Sequence, residues 1–293
     1  MKFHADCVTC LMSGALKKAS TVTDEALKLE YLQGICRIMD AVDCEYDSAP
    51  LVDARIIQLK RELLNMEDDY TQVKHSFNQM MLGLYDELKA RVQASNDPLH
   101  AAIQLAMAGN YIDFGVLGNI EPEDALRMLE EAAGKHVDET EYANLRADLE
   151  KDGELVYIHD NCGEVVLDKL LIETIHELYP HKKIVSIVRG NPILNDATID
   201  DAREIDLFSV AEVVENGLRD IAGTQLDMLP GNVRSRIMNA GIVIAKGQGN
   251  FETMLDCGLN IYFLFLSKCA SYTQWFGFER FSGILKNAQR MDV

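Results

Sequence analysis

The most constraining feature of this chain is a change of hydrophobic period at Gly153. Before it, apolar residues recur at three- and four-residue steps, the mark of amphipathic helices. Leu27, Tyr31, Leu32, Ile35, Met39 and Val42 do so between Asp24 and Val42, and Tyr70, Val73, Phe77, Met80, Leu84, Leu88 and Val92 repeat the pattern on a longer helix. Asp47-Ser48-Ala49-Pro50 breaks the chain and starts a helix running to about Asn65, with Pro50 in its first turn. Further helices fit Pro98 to Ala108, Pro122 to Ala133 and Glu139 to Lys151, and Gly153 stops the last of them. From Glu154 onward, short β-branched runs alternate with helical ones, which predicts βαβ units and a parallel sheet. The strands read as Leu155–His159, Ile184–Val188, Ala211–Val214, Ile242–Ala245 and Ile261–Leu266. The expected class is α/β, with a helical domain at 1–152 and an α/β domain at 153–293.

In an open α/β sheet, ligands gather beyond the carboxyl ends of the strands. Asp160-Asn161 follows the first strand, before a helix from Gly163 to Leu178, and Asn195-Asp196 follows the second. Asp160, Asn161 and Asp196 would supply three hard oxygens to a cation such as Mg²⁺ and leave positions for phosphate and water. The competing role is capping, since Asn161 with Glu164 three residues on fits a capping box. The remaining strand ends carry Arg189-Gly190-Asn191, Glu215-Asn216-Gly217, Lys246-Gly247-Gln248-Gly249-Asn250 and Lys268, so Arg189, Asn195 and Gly217 join the substrate-facing candidates. The glycine-rich turn after Lys246 offers backbone N–H groups and a helix N-terminus to a phosphoryl group, although it is neither a Walker A loop nor a dinucleotide fingerprint. Alone, such a turn is a tight βα connection. Lys246 and Lys268 would offset phosphate charge; a single strand-end lysine is otherwise a solvated one.

Twenty-eight Lys plus Arg stand against 47 Asp plus Glu, a formal net charge of −19. That surface repels nucleic-acid backbones and anionic lipid, while a small phosphorylated metabolite needs only local cations. The sequence shows neither a signal-peptide pattern nor a bilayer-spanning apolar run, so the expected location is cytoplasmic. The seven cysteines read as free thiols, and Cys162 as a packed one. Cys7-x-x-Cys10 suggests a dithiol or half of a zinc site that Cys36, Cys44 or His4 would have to complete. His159 reads as a core histidine. No Gly-x-Ser-x-Gly elbow or Ser-His-Asp arrangement stands out.

Asp160-Asn161-Cys162-Gly163-Glu164, Val188-Arg189-Gly190-Asn191-Pro192-Ile193-Leu194-Asn195-Asp196-Ala197-Thr198 and Lys246-Gly247-Gln248-Gly249-Asn250-Phe251-Glu252 resemble the damage-control phosphatases, formerly the Domain of Unknown Function 89 family. The resemblance extends to Gly109-Asn110-Tyr111-Ile112-Asp113-Phe114-Gly115, Asn216-Gly217 with Gly223-Thr224, and Lys268-Cys269. Cys7-x-x-Cys10 and the chain length resemble the stand-alone microbial branch. The carbohydrate-phosphate branch carries Arg-Thr-x-Lys near its last strand, and Phe265-Leu266-Ser267-Lys268 keeps only the lysine.

The resemblance implies an all-helical N-terminal domain joined to a three-layer α/β/α core with a mostly parallel, Rossmann-like sheet. It implies hydrolysis of small phosphate monoesters, sugar phosphates or damaged and harmful metabolites, with a divalent cation, Mg²⁺, Mn²⁺, Co²⁺ or Ni²⁺. Asp160, Asn161 and Asp196 match the family's metal ligands, and Gln248, Asn250, Glu252 and Lys268 would face substrate. Asn110 and Asp113 would line the cleft from the helical side, or cap a turn there. In the resulting mechanism Lys246, Lys268 and the turn amides stabilise transition-state charge, and water attacks phosphorus; attack by Asp160 is the second route. Two other classes fit the same pocket: a non-catalytic sensor of phosphometabolite or metal, and a phosphoryl or methyl transferase.

Overall fold

The computed structural model describes residues 1–109 and 137–291, with Leu126, Arg127, Leu129 and Glu131 between them. The expected helix from Pro122 to Ala133 therefore lies mostly outside the described residues. Helices α1 (Ala5–Ala19), α2 (Glu25–Asp40), α3 (Ala49–Leu64), α4 (Thr71–Ala94), α5 (Pro98–Ala108) and α6 (Glu139–Leu149) precede the first strand. Aspartates open three of them. Asp24, Asp97 and Asp138 each accept first-turn backbone N–H groups that have no partner within the helix.

Strands and helices then alternate: β1 (Leu155–Ile158), α7 (Glu164–Leu178), β2 (Ile184–Val188), α8 (Ile199–Glu204), β3 (Glu212–Glu215), α9 (Gly231–Asn239), β4 (Ile242–Lys246), α10 (Gly247–Met254), β5 (Ile261–Leu266), α11 (Tyr272–Phe276) and β6 (Gly283–Asn287). The sheet order is β3-β2-β1-β4-β5-β6, parallel except where β6 runs antiparallel to β5. Tyr157 stands opposite Ser186 on one side and Ile244 on the other. Within β1, Leu155 and Tyr157 pack with apolar residues of α4, α5 and α7, whereas Val156 and Ile158 pack with Leu51 of α3, Val233 of α9 and Phe251 of α10. Cover on both faces explains why β1, β2, β4 and β5 read as nearly continuous apolar runs. The larger core combines α4 and α5 residues with strand residues, so it is continuous across the expected boundary at 152/153.

The strand boundaries shift slightly. β3 is displaced by one residue, β4 extends to Lys246, and His159 falls just beyond β1 although its N–H still donates to the Ile187 carbonyl at 3.0 Å. Gly153 has φ +119°, a conformation that suits the expected stop. No described helix is long and apolar enough to cross a membrane.

Candidate functional site

From β1 the chain builds toward β2 and β3, then returns to place β4 on the other side of β1. In an open α/β sheet such a reversal is where the ligand crevice falls, here beyond the carboxyl ends of β1 and β4. Gly247 starts α10 there with φ +80°, and a Cβ at that position would stand 2.0 Å from Asp160 Oδ2. Only glycine lets the Asp160 carboxylate lie against the β4–α10 turn.

A short backbone ladder brings in the second strand end. Cys162 N–H donates to the Asn195 carbonyl at 2.8 Å, Ala197 N–H donates to the Asp160 carbonyl at 2.7 Å, and Asn161 pairs with Asp196 as an antiparallel bridge. Asp160, Asn161 and Asp196 are thus brought together, and the contribution of Asn195 is its backbone carbonyl. Asn161 Nδ2 donates to Asp160 Oδ2 at 2.7 Å and to Glu164 Oε2 at 3.4 Å, which makes its amide oxygen the atom it could offer a cation. The expected capping box does not form. Gly163, with φ +78°, is the N-cap of α7, and its N–H donates to Asn78 Oδ1 at 2.8 Å.

Arg189 is buried between the two acids. Its Nε donates to Asp196 Oδ2 at 2.5 Å and its Nη2 to Asp160 Oδ1 at 3.5 Å. Burial, then the charges of Asp196 and Glu164, push the Asp160 carboxyl well above its ordinary value, with Arg189 and Lys268 opposing. Burial also raises Asp196 against the pull of Arg189 and Lys74. Burial thus disfavours the charged form of both acids, and the donors that they and Asn161 present are two carboxylates and an amide oxygen. A hard divalent cation suits that set.

Lys246 is fully buried, and its Nζ donates to Glu164 Oε1 at 2.5 Å, Asp168 Oδ1 at 2.6 Å and the Ala106 carbonyl at 2.8 Å. Desolvation works against its charge, yet Asp168 and Glu164 outweigh it and raise the ammonium above its usual value. Asp168 also meets Tyr157 OH at 2.8 Å and His159 Nδ1 at 3.0 Å. Lys246 is therefore placed behind the ligand pair rather than toward open phosphate.

Gln248 Oε1 accepts from the backbone N–H of Lys268 at 3.2 Å and of Cys269 at 3.3 Å, while its Nε2 donates to Glu252 Oε1 at 2.9 Å. Tyr272 OH donates to the same Glu252 oxygen at 2.6 Å. Gln248 and Glu252 thus anchor the backbone carrying Lys268, whose charge reaches Asp160. Gly217 has φ +68° and packs so closely on Gly190 that a Cβ on the latter would be 2.6 Å from the Gly217 Cα. That contact joins the loops after β2 and β3 beside Arg189. Asn110 and Asp113 lie outside the described residues. Cys7 and Cys10 are free thiols; burial pushes Cys7 up to about 11. Among the described residues no group of three or more His, Cys, Asp or Glu could hold a metal, so the zinc set does not assemble; the proposed site differs in using an amide.

The damage-control phosphatase ARMT1-like domain profile matches residues 3–282. The chain belongs to that family. With this membership, it is a phosphatase. It is 31% identical to a damage-control phosphatase of Archaeoglobus fulgidus over 92% of this chain and 93% of the relative. A damage-control phosphatase of Pyrococcus horikoshii is 28% identical over 92% of each chain. The crystal structure of a Domain of Unknown Function 89 family protein from Pyrococcus horikoshii superposes with a TM-score of 0.84, covering 98% of this chain and 99% of that one at 24% identity. That likeness concerns the fold.

In this damage-control phosphatase-family chain, the residues missed by sequence reasoning are Glu164, Asp168 and Thr224. A signal existed for the first two: Glu164 and Asp168 stand four apart among the apolar Val165, Val166, Leu167, Leu170 and Leu171 of α7. Thr224 stood in the Gly223-Thr224 pair of the family resemblance, with no role assigned to it.

Proposed function

We propose that this phosphatase hydrolyses small phosphate monoesters, sugar phosphates or damaged phosphometabolites, in the crevice beyond β1 and β4. The observation that carries the reading is the bridge between Asn161 and Asp196, which gathers two buried carboxylates and an amide beside a glycine turn. Asp160, Asn161 and Asp196 would hold a divalent cation, Mg²⁺, Mn²⁺, Co²⁺ or Ni²⁺, which when bound supplies charge to the phosphoryl oxygens. Lys268 and the N–H groups at the start of α10 bind the phosphoryl group from the other side. The nucleophile in this reading is water, with Asp160 kept as a ligand. The water oxygen bonds to phosphorus as the ester P–O bond breaks, and one of the water's protons ends on the departing oxygen, so that alcohol and inorganic phosphate are released.

The same reading takes residues 1–152 as a helical domain against a three-layer α/β/α core in residues 153–293, within the stand-alone branch, and places the protein in the cytoplasm. Its test is phosphate release from an aryl phosphate and a sugar-phosphate panel with each metal. Chelator and Asp196→Asn should each lower release by roughly 10²-fold or more. Turnover indifferent to both, or a phospho-enzyme trapped on Asp160, contradicts it.

A further inference from the structure

The geometry points to Asn250 as a positioning residue that holds Arg189 against Asp196 and thereby sets which carboxylate oxygen is offered to the cation. The inference rests on the metal reading above and departs from the expectation that Asn250 faces substrate. Asn250 is fully buried, and both ends of its amide are committed. Its Oδ1 accepts from Arg189 Nη1 at 3.2 Å and Thr224 Oγ1 at 2.8 Å, while its Nδ2 donates to the carbonyls of His159 at 3.2 Å and Lys246 at 2.7 Å. An asparagine amide has two donors and two acceptor sites, so these bonds fill it. No capacity remains for a substrate.

Those four bonds tie together the chain ends leaving β1, β2 and β4. The approach of the fourth partner is built into the backbone: a Cβ on Gly249 would lie 1.9 Å from the Ala222 carbonyl oxygen, so glycine lets the 222–224 segment close onto α10. Thr224 N–H then donates to Thr253 Oγ1 at 2.9 Å, and the Gly223 carbonyl accepts from Arg189 Nη1 at 2.9 Å. Because guanidinium is planar, fixing Nη1 fixes the direction of Nε. Nε in turn engages Asp196 Oδ2, which leaves Oδ1 for the cation. Partners that orient ligands in this way are commonly worth 10–100-fold in metal affinity.

The experiment uses the full chain stripped of metal. Mn²⁺ binding is followed by electron paramagnetic resonance of the free ion for wild type, Asn250→Ala, Thr224→Val and Asp196→Asn, with KM for an aryl phosphate at saturating Mn²⁺ and a thermal melt. The Mn²⁺ Kd should rise about 10–100-fold in Asn250→Ala, and rise in the same direction in Thr224→Val, with KM at saturating metal unchanged. A raised KM with wild-type Mn²⁺ affinity makes Asn250 a substrate contact and overturns the inference, as does wild-type behaviour in both variants. If Asn250→Ala fails to fold, Thr224→Val decides, since it removes one hydroxyl and spares the other three Asn250 bonds. Mn²⁺ binding that Asp196→Asn leaves unchanged overturns the metal reading itself, a result distinct from weakened binding in Asp196→Asn alone.

Discussion

At the scale of single residues, two side chains from neighbouring strand ends have divided tasks. Asp160 lies in the crevice with its carboxyl raised by burial and by two other acids. Lys246, on the adjacent strand, is surrounded by Glu164, Asp168 and the Ala106 carbonyl. Removing one member of a buried ion pair leaves its partners charged in low dielectric and costs about 3–5 kcal/mol. Lys246→Met should therefore lower the melting temperature by on the order of 10 °C in a chain of this size. A variant that loses activity while melting as wild type would instead put Lys246 on the phosphate. The expected strand-end lysine was legible; its direction was not, because a strand end offers two faces and the partner acids reside on α7.

At the scale of elements, α8 is pinned by one carboxylate. Asp201 Oδ2 accepts from Thr198 N–H at 2.8 Å and Thr198 Oγ1 at 2.6 Å, and pairs with Lys74 Nζ of α4 at 2.6 Å. Burial alone would raise this carboxyl, but Lys74 and Thr198 outweigh it and hold it below its ordinary 3.8. A depressed folded-state value contributes stability above pH 3.8, and that contribution is lost as pH falls toward the folded-state value. Asp201→Asn should accordingly melt lower than wild type near neutrality, with the gap narrowing below about pH 4. A gap that widens in acid reverses the sign. This element also shows where period alone stops: α8 is too short for a clear helical repeat, and α9 and β6 lack the apolar patterning that exposed the buried strands.

For the whole molecule, the alternating pattern after Gly153 made a parallel sheet legible, and the strand-end residues pointed to the candidate cation site. What the sequence could not supply was depth. From sequence Asn161 reads as a cap or a ligand, with the ladder to Asn195 and Asp196 out of sight, and Asn250 reads as a substrate contact until its four partners are seen. If the cation completes this acid pair, binding it must stabilise the fold. At 100 times Kd the gain is about 2.7 kcal/mol, so Mn²⁺ should raise the melting temperature by roughly 5–10 °C and excess chelator should reverse it. An unchanged melting temperature at saturating metal goes against the account. The most direct measurement is an anomalous difference map from crystals grown with Mn²⁺ and vanadate. The account predicts a manganese peak bound by Asp160, Asn161 and Asp196, with the vanadate beside Lys268 and the start of α10; manganese ligated elsewhere, with Arg189 still bridging the two aspartates, would contradict it.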